Sequence, residues 1–407
     1  MPVKALRALA WFTLIAGMGA IAAWIAGVAL NDRYLWSQPL WWLPTFFVCC
    51  VTGAASAVAW AFARVAGVVA QARSHRGETS PPDSQRFASM LRALVLASAA
   101  LTLWAVVVEW RTIAHLGDTR APEDTRTLRV LSWNYAVDSP AGLVDAALQP
   151  KPGEPPEVIL LVNPPWSMDL APLRDGLAKA RKSDRVYATK IGRMNLLSVY
   201  PIKRWGFTDL RIKGAKARTF KWTGGGMVSV DSGQAFFAEL DTTSKLGRPT
   251  VVWMLDLPSD PTIARVEMLG TVSKTLSEFR GPQNRRNLLG LDEPSLISDG
   301  IGANGIGFPL PDLIVGDMNT TRNSRSLETF LDSIQAPSPD SNLRRPFEYA
   351  YRQAGWGPGA SFPRICPLFA IDQCFVRAPM RADRYEVVDL GVGTHYAQLI
   401  ELYIPAK

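Results

Sequence analysis

Leu313-Ile314-Val315-Gly316-Asp317-Met318-Asn319 is the stretch on which the fold turns. Its apolar, β-branched start reads as a buried strand, and Gly316 stands at that strand's end. Side chains two apart on a strand share a face, so Asp317 and Asn319 can converge on one ligand. A carboxylate that can hold a proton or a cation, beside a carboxamide that can orient water or a phosphate oxygen, suits phosphoester chemistry. An ordinary Asx turn at a strand end contains the same pair.

Outward from this segment, apolar runs of strand length lie at 128–133 and 157–162, with shorter ones at 195–199, 227–230, 235–240 and 250–255. Helical spacing covers 169–183, 262–279 and 324–333, whereas 281–311 carries the Gly, Pro and Asn of a loop. Strands at 312–316, 369–377 and 397–404 complete the set. Many strands with few long helices predict an α+β fold built as a sheet sandwich, not a Rossmann fold.

The first hundred or so residues differ in kind, being dominated by Ala, Val, Leu, Trp and Phe. Runs at 8–30, 34–63 and 93–108 predict three transmembrane helices, since about 20 apolar residues cross a bilayer. No A-x-A-like cleavage site follows the first run, so it reads as an anchor and not as a signal peptide. Lys4 and Arg7 precede it, and Arg64, Arg73, Arg76 and Arg86 crowd the second loop, while the first loop has Arg33 balanced by Asp32. That bias puts the N-terminus and second loop in the cytoplasm and the remainder outside it, in a multi-pass protein of the cell membrane. The expected organisation is a three-helix anchor over 1–110, a tether over 111–127 and a soluble domain over 128–407. No span carries a central charge pair that would suggest an ion path.

Seven pieces recur in order along the soluble part: LSWN ending at Asn134, VILLVN ending at Asn163, LLSVYPI at 196–202, VVWMLDLPS at 251–259, LIVGDMN, GASFPRICPLFAIDQCFV at 359–376 and GTHYAQLIEL at 393–402. Together they resemble the endonuclease/exonuclease/phosphatase superfamily over essentially all of 128–405. The resemblance implies a two-sheet α/β sandwich with its active site at one edge, and metal-dependent hydrolysis of phosphoesters by an activated water. Magnesium or manganese would be the cofactor. Asn134 would contact metal or phosphate. Asp317 and Asn319 would activate and orient the water, and Asp372 would orient His395, which would stabilise the phosphate. An imidazole fixed and kept charged by a carboxylate is a sound partner for phosphoryl charge. His395 is also the only histidine beyond the tether, since His75 and His115 precede the soluble domain.

The chain departs from the family pattern at three telling positions. Asn163 stands where the resemblance expects a metal-binding glutamate, Asp256 where it expects a histidine, and Thr394 where an aspartate precedes the last histidine. Gln373 fills a further, variable position. Asn134, Asn163 and Asp256 are therefore the expected metal ligands of an altered site. Hard divalent ions are held chiefly by carboxylates, so the loss at Asn163 weakens the standard mechanism, and Asp256 restores one carboxylate nearby.

The net charge of +8, from 44 Lys and Arg against 36 Asp and Glu, excludes little by itself. Its location says more: thirteen Lys and Arg run from Lys179 to Lys221, opposed only by Asp184 and Asp209. Such a run is either a solvated face or a surface for polyanions. On a tethered domain, the bilayer and its anionic headgroups are the nearer partner and nucleic acid the more distant one. Trp205, Phe220 and Trp222, interleaved with these charges, suit either stacking or a core. Cys366 and Cys374 either bridge in an oxidising compartment or stay apart if 369–377 runs straight. Gly224-Gly225-Gly226 is a turn without the sequel of a phosphate loop. Two readings stay open: a phosphoester hydrolase with an altered metal site, and an inactive binding or scaffold module that keeps the fold.

Overall fold

A computed structural model describes residues 3–74, 84–117, 121–122, 125–137, 139–150, 154–215, 217–220, 227–230, 232–280, 307–334 and 346–405. Two compact units divide the chain, Met1–Ala114 and His115–Lys407. The expected Gly224–Gly226 turn, Trp222, most of the 281–311 loop, and His75 and Arg76 of the second loop lie outside the described residues. So do Asp118, Thr119, Arg120, Glu123 and Asp124 of the tether.

The first unit contains α1 (Val3–Leu30), α2 (Gln38–Trp41), α3 (Thr45–Ser74) and α4 (Ser84–Trp104), the last continued by a π-helical turn at Ala105–Glu109. Three helices of this chain are long and apolar enough to cross a membrane. The second span differs from the 34–63 expected. Pro39 opens the short α2 and Pro44 precedes α3, so prolines split the aromatic start of that run. At the other end α3 carries on through Arg64 and Arg73, because arginine is a good helix former. Small residues and hydroxyls hold the helices together. A Cβ on Gly27 would fall 2.4 Å from Leu40 O, and Thr52 Oγ1 lies 2.9 Å from Ser98 Oγ.

The second unit is a sandwich of two six-stranded sheets. Its strands are β1 (Leu128–Asn134), β2 (Val158–Val162), β3 (Tyr187–Ile191), β4 (Met194–Ser198), β5 (Ile202–Asp209), β6 (Ala217–Phe220), β7 (Met227–Val230), β8 (Gln234–Leu240), β9 (Thr250–Asp256), β10 (Leu313–Asp317), β11 (Phe347–Tyr349), β12 (Asp372–Arg377), β13 (Arg381–Val388) and β14 (Ala397–Tyr403). One sheet has the order β13-β14-β1-β2-β4-β3, the other β11-β12-β10-β9-β8-β5, and β6 pairs only with β7. Both large sheets are mixed: β1–β2 and β9–β10 run parallel, and their other neighbours run antiparallel. Helices α5 (Leu143–Leu148) and α6 (Ala171–Arg181) cover the first sheet, and α8 (Arg265–Ser277) and α9 (Arg325–Ser333) the second. Two short helices, α7 (Thr243–Leu246) and α10 (Ala350–Ala354), lie in connections.

Strand alternation builds three apolar layers. Leu128, Val130, Val158, Leu160, Met254, Leu313, Val315 and Ile400 fill the space between the sheets. Their neighbours Leu131, Trp133, Ile159 and Leu161 pack under the helices of the first sheet, while Trp253, Ile314 and Phe375 pack under those of the second. Strands covered on both faces need apolar side chains at both parities, which is why these runs are continuously hydrophobic. Cys374 is buried in the inter-sheet core and Cys366 is exposed, and both are free thiols, so the bridge considered from spacing is not formed.

Gly316 fixes how closely two central strands approach. Its φ is +133°, and a Cβ there would lie 2.0 Å from Leu255 O on the neighbouring β9. Gly316→Ala is expected to destabilise the unit by at least about 1–3 kcal/mol from backbone strain alone, before the clash is counted. A thermal melt of the purified chain in detergent checks this; an unchanged melting temperature would contradict the assigned register.

Candidate active site

The same alternation that fills the core ends in polar groups at one edge. In β9, β10 and β12 the inter-sheet parity belongs to Val252 and Met254, to Leu313 and Val315, and to Cys374 and Val376. One more step along each parity reaches Asp256, Asp317 and Asp372. Register places Asp317 beside Asp256 on one neighbour and beside Asp372 on the other. Three aspartates therefore stand abreast across three adjacent strands. Across the sandwich, the inter-sheet parity of β1 ends in Asn134, and Asn163 follows directly on β2. His395 comes from the turn before β14. Asp256, Asp317, Asp372, Asn134 and His395 are each only 4–5% exposed.

Hydrogen bonds join the two edges. Asn134 Nδ2 donates to Asp317 Oδ2 (2.7 Å) and lies 3.3 Å from His395 Nε2. His395 Nδ1 is 2.7 Å from Asp372 Oδ2, which also accepts from Ser361 Oγ. The backbone N–H of Asn319 donates to Asp317 Oδ1 (2.8 Å), and its side-chain Nδ2 donates to Leu257 O (2.6 Å). Asn163 Nδ2 donates to Asn134 Oδ1 (3.2 Å) and to Asp256 Oδ1 (3.1 Å). All seven residues expected from the sequence thus come together. Thr394 contributes through its backbone, donating to Tyr135 O and accepting from Arg364 N. Gln373 ties Thr320 O and Ala370 O.

Three contributors were not singled out from the sequence. Ser361 sits in the quoted GASF piece, where a hydroxyl eleven residues before Asp372 gave no signal of its own. Phe362 lies against the His395 ring at 4.6 Å between centroids. Arg193 Nη1 donates to Asn163 Oδ1 (3.4 Å). Other members of the basic run are engaged away from the cleft: Arg181 with Glu154 and Glu157, Lys203 with Asp241, Arg204 with Glu239, and Lys190 with the carbonyls of Trp166 and Met168. Trp205 is a core residue stacked near Phe236.

The charges are unbalanced. Burial, then the neighbouring Asp372, holds the Asp317 carboxyl well above the usual range, with Asp256 adding to the effect and His395 opposing it. For His395, burial is the largest single influence and acts to lower its pKa. The charge and hydrogen bond of Asp372, with Asp317 and Asp256, outweigh it and raise His395 to about 9.

Asp317, Asp372 and His395 offer three ligand atoms within 4.8 Å of one another, a group able to hold a metal ion. A cation fits here on two counts: Asp372 Oδ1 is buried without a hydrogen-bond partner, and crowding forces Asp317 toward its protonated form. The corner formed by Asn134, Asn163 and Asp256 is different. There an amide of Asn163 donates to the oxygens of the other two, and a guanidinium donates to Asn163 itself.

Because His395 has a raised pKa in the folded state, its protonation stabilises the fold fully below its ordinary 6.5, and that contribution is lost as pH rises through about 9. NMR of the imidazoles should show His395 still charged at neutral pH. Asp372→Asn should lower its midpoint by about one unit or more; a midpoint unmoved by that change would refute the pairing.

No family model matches the chain, and no curated protein matches it. Among solved structures, an endonuclease/exonuclease/phosphatase family protein from Bacteroides thetaiotaomicron is 12% identical with a TM-score of 0.40, covering 70% of this chain and 100% of that one. A mannosyl-6-phosphatase from Bacteroides thetaiotaomicron is 12% identical with a TM-score of 0.41, covering 68% and 100%. Sphingomyelinase C from Streptomyces griseocarneus is 15% identical with a TM-score of 0.37, covering 68% and 99%. The chain resembles these proteins, while its two-sheet sandwich is established by its own strand order and register.

Proposed function

We propose that the protein is a membrane-anchored hydrolase of phosphoesters whose soluble unit works on the extracytoplasmic side. The observation that carries this reading is the convergence of Asp317, held by Asn134, with an imidazole that Asp372 orients and keeps charged. In its ionised form Asp317 takes a proton from a water molecule, whose oxygen attacks phosphorus as the bond to the leaving oxygen breaks. Its raised pKa makes it a stronger base than an ordinary aspartate. The Asn319 carboxamide, pinned to Leu257 O, helps to orient that water. His395, with Nδ1 committed to Asp372, presents Nε2–H to the phosphoryl oxygens, where negative charge accumulates. Magnesium or manganese held by the carboxylates of the aspartate row would supply further neutralisation of that charge.

The nearest substrates for a tethered domain are the phosphoesters of anionic lipid headgroups, with nucleic acid second. A binding module without turnover is the competing reading. It is favoured by Asn163, which contributes an amide donor where a metal-holding carboxylate is expected.

Hydrolysis of bis(p-nitrophenyl) phosphate by the purified chain, with magnesium or manganese, separates the two. Asp317→Asn and His395→Ala should each lower the rate by about 10²–10⁴. The rate should rise with pH as Asp317 ionises and fall as His395 loses its proton near 9. Absence of turnover with either ion would leave the binding module. The topology has its own test: protease added to intact cells should degrade the soluble unit, and its protection would reverse the orientation.

A further inference from the structure

The residues that direct water and those that steady the phosphoryl charge lie on different segments of the chain, and Arg322 reaches from one to the other. Asp317 ends β10 and Asn319 follows it. Arg322 stands three residues further on, in the turn before α9. That turn is pinned on both sides. Ser324 Oγ donates to Thr321 O (2.6 Å), and Asn323 N donates to Tyr349 Oη (3.1 Å). From this base the Arg322 guanidinium lies over the Tyr351 ring, 3.5 Å from its centroid, and its Nη2 donates to Gly359 O (2.9 Å).

Gly359 belongs to a strap, residues 355–362, that leads from α10 to the Asp372–His395 pair. Tyr351 Oη donates to Gly357 O (2.6 Å). Two carbonyls of the strap are thus held, one by the Tyr351 hydroxyl and one by the guanidinium lying on the Tyr351 ring. Gly359 has φ +60°, and a Cβ there would meet Arg322 Nη2 and Tyr351 Cε2 at 2.7 Å each. Glycine lets the backbone come this close. Two residues later the buried Ser361 bonds both members of the pair or their neighbours. Its Oγ donates to Asp372 Oδ2, and its carbonyl accepts from Tyr396 N (2.8 Å), next to His395. Phe362 follows, against the His395 ring.

A carbonyl bonded to a charged donor is held more firmly than one bonded to a neutral donor. A planar guanidinium also gives up less freedom than an ammonium in making such a bond. We propose that Arg322 is a positioning residue that locks the strap against the turn after Asn319, so that Ser361 and Phe362 hold Asp372 and His395 in register with the water-directing pair. Arg322 contacts neither the phosphate nor the water. It acts through the strap. The consequence for turnover rests on the phosphoester reading of the cleft, whereas the locking itself does not.

Arg322→Met keeps an apolar stem over Tyr351 and removes the donor. Amide hydrogen exchange of the full chain in detergent should then quicken at Ser361, Phe362 and Tyr396, whose N–H groups bond from or onto the strap, while α9 stays unchanged. Arg322→Lys restores a donor without the planar stack and should exchange at a rate between that of Arg322→Met and wild type. With bis(p-nitrophenyl) phosphate and magnesium or manganese, kcat and kcat/KM of Arg322→Met should fall together by about tenfold to hundredfold, the cost of a small misplacement. A lowered melting temperature with faster exchange throughout the unit would make Arg322 merely structural and overturn the proposal, as would wild-type exchange at the strap. Should Arg322→Met not fold, Arg322→Lys and Ser361→Ala decide the matter. Their rate losses should combine to less than the product of the two, because both act through one strap, and independent losses would overturn the proposal. If the wild type hydrolyses no phosphodiester with either ion yet Arg322→Met loosens the strap, the hydrolytic reading fails and this one stands. Turnover by the wild type with a strap indifferent to residue 322 gives the opposite result.

Discussion

Three aspartates side by side on hydrogen-bonded strands are the constraint around which the rest of the second unit is arranged. Like charges directly opposite on neighbouring strands destabilise a sheet, and burial raises the cost. Asp256, Asp317 and Asp372 do both. What offsets this comes largely from outside their own strands. Asn134 reaches Asp317 and Asn163 reaches Asp256 from the other sheet, while His395 and Ser361 converge on Asp372. Apolar contacts hold the two sheets together along most of their depth, but at this edge amides and an imidazole do so. The remaining imbalance raises the pKa of both Asp317 and His395.

Much of this was legible in the sequence because the central strands are continuous apolar runs covered on both faces. The runs at 128–133, 157–162, 250–255 and 312–316 became β1, β2, β9 and β10, and the polar residue closing each run, or following it, became part of the site. The helices at 169–183, 262–279 and 324–333 also formed, within a few residues. Five strands escaped notice: β3, β5, β6, β11 and β13, and each is the edge of a sheet. Edge strands carry charges that discourage further pairing, as Ile202–Asp209 and Arg381–Val388 do, so their hydrophobic pattern is weak. Arg193 escaped for a related reason. Within a run of thirteen cations nothing in its own neighbourhood marks it out, and only the hairpin turn decides that it reaches Asn163.

Asn163 has a local reason for its identity besides its chemistry. It leaves β2 with φ +52°, and Asn319 follows β10 with φ +43°. Both strands turn sharply where they meet the cleft, and both do so through the left-handed conformation that asparagine tolerates better than most residues. The turn at 163 directs an amide back toward Asn134 and Asp256. A glutamate at this position would carry about 1–2 kcal/mol of conformational penalty and would lose the donor that both oxygens now use. Backbone shape and hydrogen bonding therefore favour the carboxamide together, so the residue is fitted to its surroundings and is not simply a lost ligand.

That fit bears on how the cleft can be neutralised. A proton on Asp317 and an imidazolium at His395 are two ways of placing positive charge near the carboxylates, and they differ in what else they permit. The proton abolishes the base. The imidazolium is tied to Asp372 through Nδ1, which fixes the ring and directs its second nitrogen away from that pair. A cation borne by the chain is present in every molecule at every metal concentration, whereas an ion held by carboxylates depends on its supply. The aspartate row is left as the place where metal would affect the reaction itself.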